Sequence, residues 1–371
     1  MKFKCNQQIL SKALNIVSKA VTIRTTIPVL KGILLNVTND GKLILTASDL
    51  DLSIEKSIDV IVEKSGSTIV MAKLFSDIIK KLPNEEINIE LKEDGNVNIK
   101  TNSSEFNILG TSADEFPSIG EIENIETQLS FNKNIFREMV RKTYFCASSD
   151  ESKGIIIGVL LEIEENNFNM AALDGFRMAV AREKLKNEKT ENIIVSARIL
   201  NEINKILFES DVEEDIKLIV SNKKAAILME RTKIVIRLLE GEFIKYKSII
   251  PKEKNTSVII DKNELLNSIE RASLLAKEGK NNLVKFKIVN NLLSITSTSE
   301  EGAVKEEIIM EKEGKDIEIG FNSKYIIDAI KVIEDEQILM EFNTSTTPCL
   351  IKPLEGKAYE YLILPVRIPG N

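Results

Sequence analysis

Apolar residues recur at helical spacing in one segment that the chain writes three times. In Ala72-Lys73-Leu74-Phe75-Ser76-Asp77-Ile78-Ile79-Lys80-Lys81-Leu82, the positions Leu74, Phe75, Ile78, Ile79 and Leu82 form one apolar stripe. Such a stripe predicts an amphipathic helix with one face against a core. The pattern returns from Ala197 to Leu207 and from Ser323 to Ile333, at offsets of 125 and 126 residues. Each copy holds a base (Lys73, Arg198, Lys324), an acid four residues on (Asp77, Glu202, Asp328) and a second base seven on (Lys80, Lys205, Lys331). A period of this length is that of a whole domain and far exceeds a solenoid repeat.

Other segments repeat at the same interval. Gly32–Val37 matches Gly158–Ile163 and, more loosely, Leu283–Ile288. Asn6, Asn132 and Asp261 each precede an apolar-periodic stretch, carried by Leu10 and Leu14, Phe136 and Val140, and Leu265 and Ile269. Asn and Asp are preferred N-caps, because their side chains accept from the unpaired N–H groups of a first turn. Each module therefore reads strand, helix, strands, helix, strands. The expected fold is α+β, with three repeated domains at 1–122, 128–251 and 257–371, each packing two helices on antiparallel sheet. The acidic cluster Glu121, Glu123 and Glu126 and the polar stretch after Pro251 mark the boundaries. The apolar run Ile155–Leu161 is too short to span a bilayer and reads as a buried strand.

Composition mainly excludes. Among 371 residues there is no histidine, so a Ser-His-Asp triad and an HExxH zinc site are impossible. No GxxxxGK[ST] or GxGxxG phosphate loop occurs, and the pairs Asp49/Asp51 and Glu85/Glu86 read as solvated surface. No catalytic residue, cofactor or metal is expected. The N-terminus lacks the apolar core of a signal peptide, and Cys5, Cys146 and Cys349 are unpaired in spacing. They read as reduced, buried thiols of a cytoplasmic protein with no membrane partner.

Charge then changes the picture. The net charge is −7, yet the repeated helices place bases opposite their apolar stripes, and the first helices do likewise with Lys12 and Lys19, Arg137 and Arg141, and Lys262 and Arg271. Periodic bases on an acidic chain point to one positive surface that holds the phosphates of a polyanion without reading base edges. Three like domains make an arc, and two arcs joined head to tail close into a ring. Pairing across the joint would also cover exposed strand edges. A monomeric repeat scaffold that binds proteins, and a metal-dependent enzyme using Asp49 and Asp51, are the competing readings.

Several motifs in order carry a resemblance: Arg24-Thr25-Thr26-Ile27-Pro28-Val29-Leu30 with Gly32, Ala47-Ser48-Asp49-Leu50, Ser112-Ala113-Asp114-Glu115-Phe116-Pro117, Ala172-Leu173-Asp174-Gly175-Phe176-Arg177-Met178-Ala179-Val180, Ile319-Gly320-Phe321-Asn322, and Tyr361-Leu362-Ile363-Leu364-Pro365-Val366-Arg367-Ile368. Over its whole length the chain resembles the bacterial DNA polymerase III beta-subunit family of processivity sliding clamps. The resemblance implies a homodimeric ring without enzymatic activity that encircles duplex DNA regardless of sequence. A clamp loader opens the ring, and short peptide motifs dock the polymerase III alpha subunit, other polymerases and repair proteins.

Residue by residue, the resemblance implies three sites. Arg24, Lys73, Lys80, Arg137, Arg141, Lys153, Arg198, Lys205, Lys324 and Lys331 would face DNA. Phe106 and Ile108, on an edge strand, would meet Leu274, Leu275, Glu306 and Glu307 of a second subunit. Ile156, Leu173, Gly175, Phe176, Arg177, Met178, Ile249, Asn322, Tyr325, Pro348, Leu362, Ile363, Leu364, Pro365, Val366, Arg367 and Ile368 would build the peptide cleft, with Arg177 and Arg367 bonding peptide carbonyls or carboxylates. Phe176 stands where well-known members carry histidine, which makes the rim more apolar. Asp150–Gly154 replaces a DNA-contacting loop and offers only Lys153 to a phosphate, while Pro369-Gly370-Asn371 extends past the usual ending.

Overall fold

Asn6 starts the first helix as its spacing predicts: its side chain accepts from the backbone N–H groups of Gln8 and Ile9, and α1 runs Gln7–Val17. The computed structural model describes residues 1–22, 25–119, 125–186, 190–209, 215–229 and 231–368. Among them the further α-helices are α2 (Ala72–Lys81), α3 (Lys133–Arg141), α4 (Ala197–Glu209), α5 (Lys262–Ala276) and α6 (Ser323–Lys331). Contacts divide the chain into two units, Met1–Lys133 with Lys205–Leu238, and Asn134–Asn204 with Leu239–Asn371. Arg24, the first domain's expected end at residue 122 and the extension Pro369–Asn371 lie outside the described residues.

In the first unit, antiparallel pairing runs through thirteen strands, and Thr232–Arg237 lies beside Leu52–Asp59. Helix α1 buries Leu10, Ala13, Leu14, Ile16 and Val17, and α2 buries Phe75, Ile78 and Ile79. Leu74, expected in that stripe, is 51% exposed. At 100° per residue it lies about 90° from the centre of the stripe formed by Phe75, Ile78, Ile79 and Leu82, so it falls at the stripe's edge. Asp49 accepts from the N–H groups of Asp51 and Leu52, which makes this acidic pair a turn.

In the second unit, nine strands form one sheet and four another. In the larger sheet, Arg177–Lys184 pairs antiparallel with Tyr359–Ile363, placing Arg177 opposite Ile363 and Met178 opposite Leu362. The smaller sheet comprises Leu283–Val289, Leu292–Ser299, Gly302–Ile309 and Ile317–Asn322. Phe321 packs between Phe286 and Phe342, with ring centroids 5.4 and 6.4 Å away. Asp261 caps α5 through the N–H of Glu264, and Asn322 caps α6 through that of Lys324. The run Ile155–Leu161 is not one strand: Ile155–Ile157 end a 3-10 segment, and the strand starts at Gly158. There the backbone passes too close for a side chain, because a Cβ on Gly158 would meet Ile194 at 2.5 Å. The three cysteines are buried and unpaired.

Candidate functional site

The cleft residues lie in the second unit, where a turn, a helix and the C-terminal segment meet. Asp174-Gly175 is a turn signal. The Asp174 carboxylate accepts from the N–H groups of Phe176 and Arg177 at 2.9 and 3.1 Å, and Gly175 takes φ +93°. That conformation favours glycine, although a Cβ there would meet nothing within 4 Å. The turn leaves Phe176 59% exposed. The terminal segment then follows the turn: Leu364 N–H donates to the Phe176 carbonyl and Val366 N–H to that of Gly320. Gly320 permits this approach, since a Cβ would lie 2.7 Å from the Val366 carbonyl oxygen.

The expected cleft residues separate by role. Leu173, Met178 and Leu362 belong to one buried cluster with Leu160, Ala171, Val180, Ile194, Tyr246 and Leu350, against which Ile155, Ile156, Leu239, Phe243 and Ile250 pack. A cavity of about 530 Å³ adjoins it, lined in part by Leu160, Ile194, Phe243, Tyr246 and Glu162. Ile363 is buried, Pro348, Pro365, Val366 and Ile368 are half-buried, and Ile249, Leu364 and Arg367 are exposed. Asn322 serves as the α6 cap. Tyr325 stacks on Phe176, with centroids 6.3 Å apart, and the Arg177 guanidinium sits 4.6 Å from the Tyr325 ring centroid.

Arg177 is not the outward donor that the sequence led one to expect. Its Nε donates to Asp174 at 3.0 Å, one Nη to Asp328 at 2.7 Å and the other to the Phe145 carbonyl at 2.8 Å. Burial disfavours its charge, but the hydrogen bonds to both carboxylates hold it protonated. Asp174, Asp328, Phe145 and Tyr246 escaped sequence reasoning as site residues. Only the Asp-Gly turn signal pointed toward the first of them.

The basic residues also divide. Lys73, Lys80, Lys153, Arg198, Lys205 and Lys324 are exposed. Arg137 is half-buried, and its guanidinium reaches the Asn134 side chain at 3.4 Å. Arg141 is half-buried between carboxylates, 2.5 Å from Glu138 and 2.7 Å from Glu334, so it is not the outward base its helical position predicts. Lys331 pairs with Glu270 at 2.7 Å.

Two of the open strand edges carry the residues expected at a dimer joint. In strand Glu105–Thr111, only Gly110 and Thr111 pair with Ile69–Val70, while Glu105–Leu109 have a partner on one side only, Asn96–Lys100. Phe106 is exposed there, but Ile108 is 8% exposed and faces inward, whereas the unforeseen Leu109 is 73% exposed. In the second unit, Gly302–Ile309 is one of the two outer strands of its sheet, and its Ile309 is 80% exposed. Helix α5 packs on that strand, with Leu274 exposed and Leu275 half-buried. Arg271 donates to Glu306 at 2.9 Å, and Lys305 lies 2.6 Å from Glu307.

Comparison with known proteins accounts for nearly the whole chain. Residues 1–120, 130–245 and 247–367 match the N-terminal, central and C-terminal domains of the DNA polymerase III beta subunit. The beta sliding clamp of Staphylococcus epidermidis is 33% identical over 378 residues, covering 99% of both chains. The crystal structure of a putative DNA polymerase III beta subunit from Eubacterium rectale superposes with a TM-score of 0.94 at 36% identity, covering 99% of this chain and all of that one. The DNA polymerase sliding clamp of Bacillus subtilis gives 0.95 at 34% identity, covering 99% of both chains.

Proposed function

The chain belongs to the DNA polymerase III beta-subunit family, the beta sliding clamps, and from that membership we propose how it closes on DNA and holds its partners. It is a DNA sliding clamp, a non-catalytic processivity factor that tethers polymerases to duplex DNA. Domains at 1–122, 128–251 and 257–371 form an arc, and two arcs join head to tail into a ring. The observation that carries this reading is the pair of open strand edges, Glu105–Leu109 and Gly302–Ile309, both bearing exposed apolar residues. A lone open edge invites aggregation, while pairing one subunit's first edge with the other's second satisfies both. Phe106 and Leu109 then meet Leu274 and Ile309, with Leu275, Glu306 and Glu307 beside them. Leu109→Asp with Phe106→Asp yields monomers by sedimentation. An unchanged dimer overturns this joint.

The exposed bases Lys73, Lys80, Lys153, Arg198, Lys205 and Lys324 hold phosphates weakly, which lets a closed ring slide. Loader-assembled rings persist on circular duplex and run off once it is linearised. Equal retention on both overturns the sliding reading.

Partners, including the polymerase III alpha subunit, the clamp loader, other polymerases and repair proteins, dock a short extended peptide along Phe176, the apolar cluster and the C-terminal segment. Burial of a leucine or phenylalanine anchor contributes about 1.5–3 kcal/mol. Because the cleft is shared, loader and polymerase compete for it. Removing Leu362–Asn371 abolishes binding of a polymerase peptide in fluorescence anisotropy. An intact dimer binding at full affinity without those residues removes this site.

A further inference from the structure

We propose that Asp328 is a positioning residue of the peptide cleft, acting through Arg177 without touching the peptide. The proposal rests on the cleft reading above and adds a component that the cleft's own lining does not contain. Asp328 lies on α6, and its carboxylate is 2.7 Å from a terminal nitrogen of Arg177, 151 positions away in sequence. The Arg177 side chain is 10% exposed, so its donors have little access to water and depend on fixed acceptors. Of these acceptors Asp174 lies three positions before Arg177 and Phe145 32 positions before it, and Asp328 is the acceptor on α6.

That tie works together with a stack. Tyr325 stands one helical turn before Asp328 on α6 and contacts both the Phe176 ring and the Arg177 guanidinium. The Arg177 guanidinium also lies 5.5 Å from the Phe145 ring centroid, and Phe145 packs on Tyr361 at 6.0 Å. The exposed Phe176 thus ends a series of ring and cation contacts that runs through Tyr325 to a cation held by two carboxylates. Without Asp328 the cation keeps the Phe145 carbonyl and a single carboxylate, Asp174, the same side chain that shapes the Gly175-Phe176 turn through backbone N–H groups. The guanidinium then loses its fixed place behind Tyr325, and Phe176 loses the backing that sets its orientation at the rim. Peptide affinity falls because the site must be ordered at the moment of binding.

The repeat supplies a control. Asp77 occupies the same place in α2 and is exposed. Its replacement alters surface charge by the same amount without reaching the cleft. The experiment measures anisotropy of a fluorescein-labelled, leucine- and phenylalanine-containing replicative polymerase peptide with the full-length protein and with Asp328→Asn, Asp328→Glu and Asp77→Asn. Expected are a loss on the order of tenfold for Asp328→Asn, recovery of most of it in Asp328→Glu, and no change for Asp77→Asn. Amide exchange of Phe176 and Arg177 should quicken in Asp328→Asn and not in Asp77→Asn, with dimer mass unchanged. Unaltered affinity in Asp328→Asn, or equal losses in Asp328→Asn and Asp328→Glu, overturns the positioning role. If Asp328→Asn does not fold, slow native-like amide exchange at Phe176 and Arg177 in Asp328→Ser overturns it instead. A wild-type protein that binds no peptide refutes the cleft reading itself, so the two failures are distinguishable.

Discussion

Helices α2 and α6 carry the same signature of base, acid and base, yet the two acids do different work. In α2, Asp77 sits exposed between the exposed Lys73 and Lys80. In α6, Asp328 is drawn to Arg177, and Lys331 is drawn to Glu270, leaving Lys324 outward. The inward faces agree: Phe75 and Ile326, equivalent in the repeat, are both fully buried. The contrast teaches that the repeated pattern specifies how each helix packs, while the chemistry of its outer face depends on what the neighbouring segments bring to it. Function is grafted onto the repeated scaffold at that outer layer.

The shared part of the comparison predicts the largest effects. Phe75→Ala should cost about 3–5 kcal/mol and Ile326→Ala about 2–5 kcal/mol, read from urea unfolding midpoints. A negligible cost at one of them would break the equivalence of the two helices. The divergent part predicts smaller changes, in DNA retention. Lys73→Ala with Lys80→Ala should flatten the dependence of retention on log salt by about 0.9 for each phosphate that is no longer neutralised. Lys324→Ala with Lys331→Ala should flatten it less, because Lys331 already has a carboxylate partner. Equal changes would show that the Glu270 pair does not withhold Lys331 from phosphate.

The smallest effect is in acid. Burial pushes the Glu162 carboxyl up, but hydrogen bonds from Tyr246, Lys247 and Asn169 outweigh it and hold it below its ordinary 4.5. A carboxyl with a depressed folded-state pKa contributes stability that is present above its unfolded value and lost as pH falls through the folded one. Glu162→Gln should therefore lower stability at neutral pH by about 1 kcal/mol or less and flatten the decline below pH ~4.5. In the first unit Asp94 is also depressed, by hydrogen bonds from Asn96 two residues on, but it is fully exposed, so solvent screening should make the flattening in the matching Asp94→Asn smaller than in Glu162→Gln. Parallel limbs for Glu162→Gln and wild type would remove this network from the contrast.

Much of this architecture was legible in the sequence because its causes are local. Periodicity located α2, α4 and α6, and Asn6 and Asp261 marked helix starts through bonds that span two or three residues. The errors fall where distant segments meet. Arg177 looked like a free donor because Asp328 is 151 positions away, and that Ile108, expected at the dimer joint, is buried within its own unit depends on the sheet its strand joins. Arg141 is held both by Glu138, three positions before it, and by Glu334, 193 positions away. The Ile155–Leu161 run divides because Ile155–Ile157 close a 3-10 segment after a kink at Gly154, and ladder pairing begins at Gly158 opposite Ser196, 38 positions away.

The three buried thiols have a practical consequence. Cys5 is pushed up to about 12 by burial and by the nearby Glu86, and burial also raises Cys146 and Cys349. Almost no thiolate exists at neutral pH, and the thiolate is the species that reacts with maleimides. The folded protein is therefore chemically silent toward cysteine-directed dyes without removing a native residue. A single cysteine introduced at an exposed position off the proposed joint, such as Asp94 or Glu355, would take a label at that position alone.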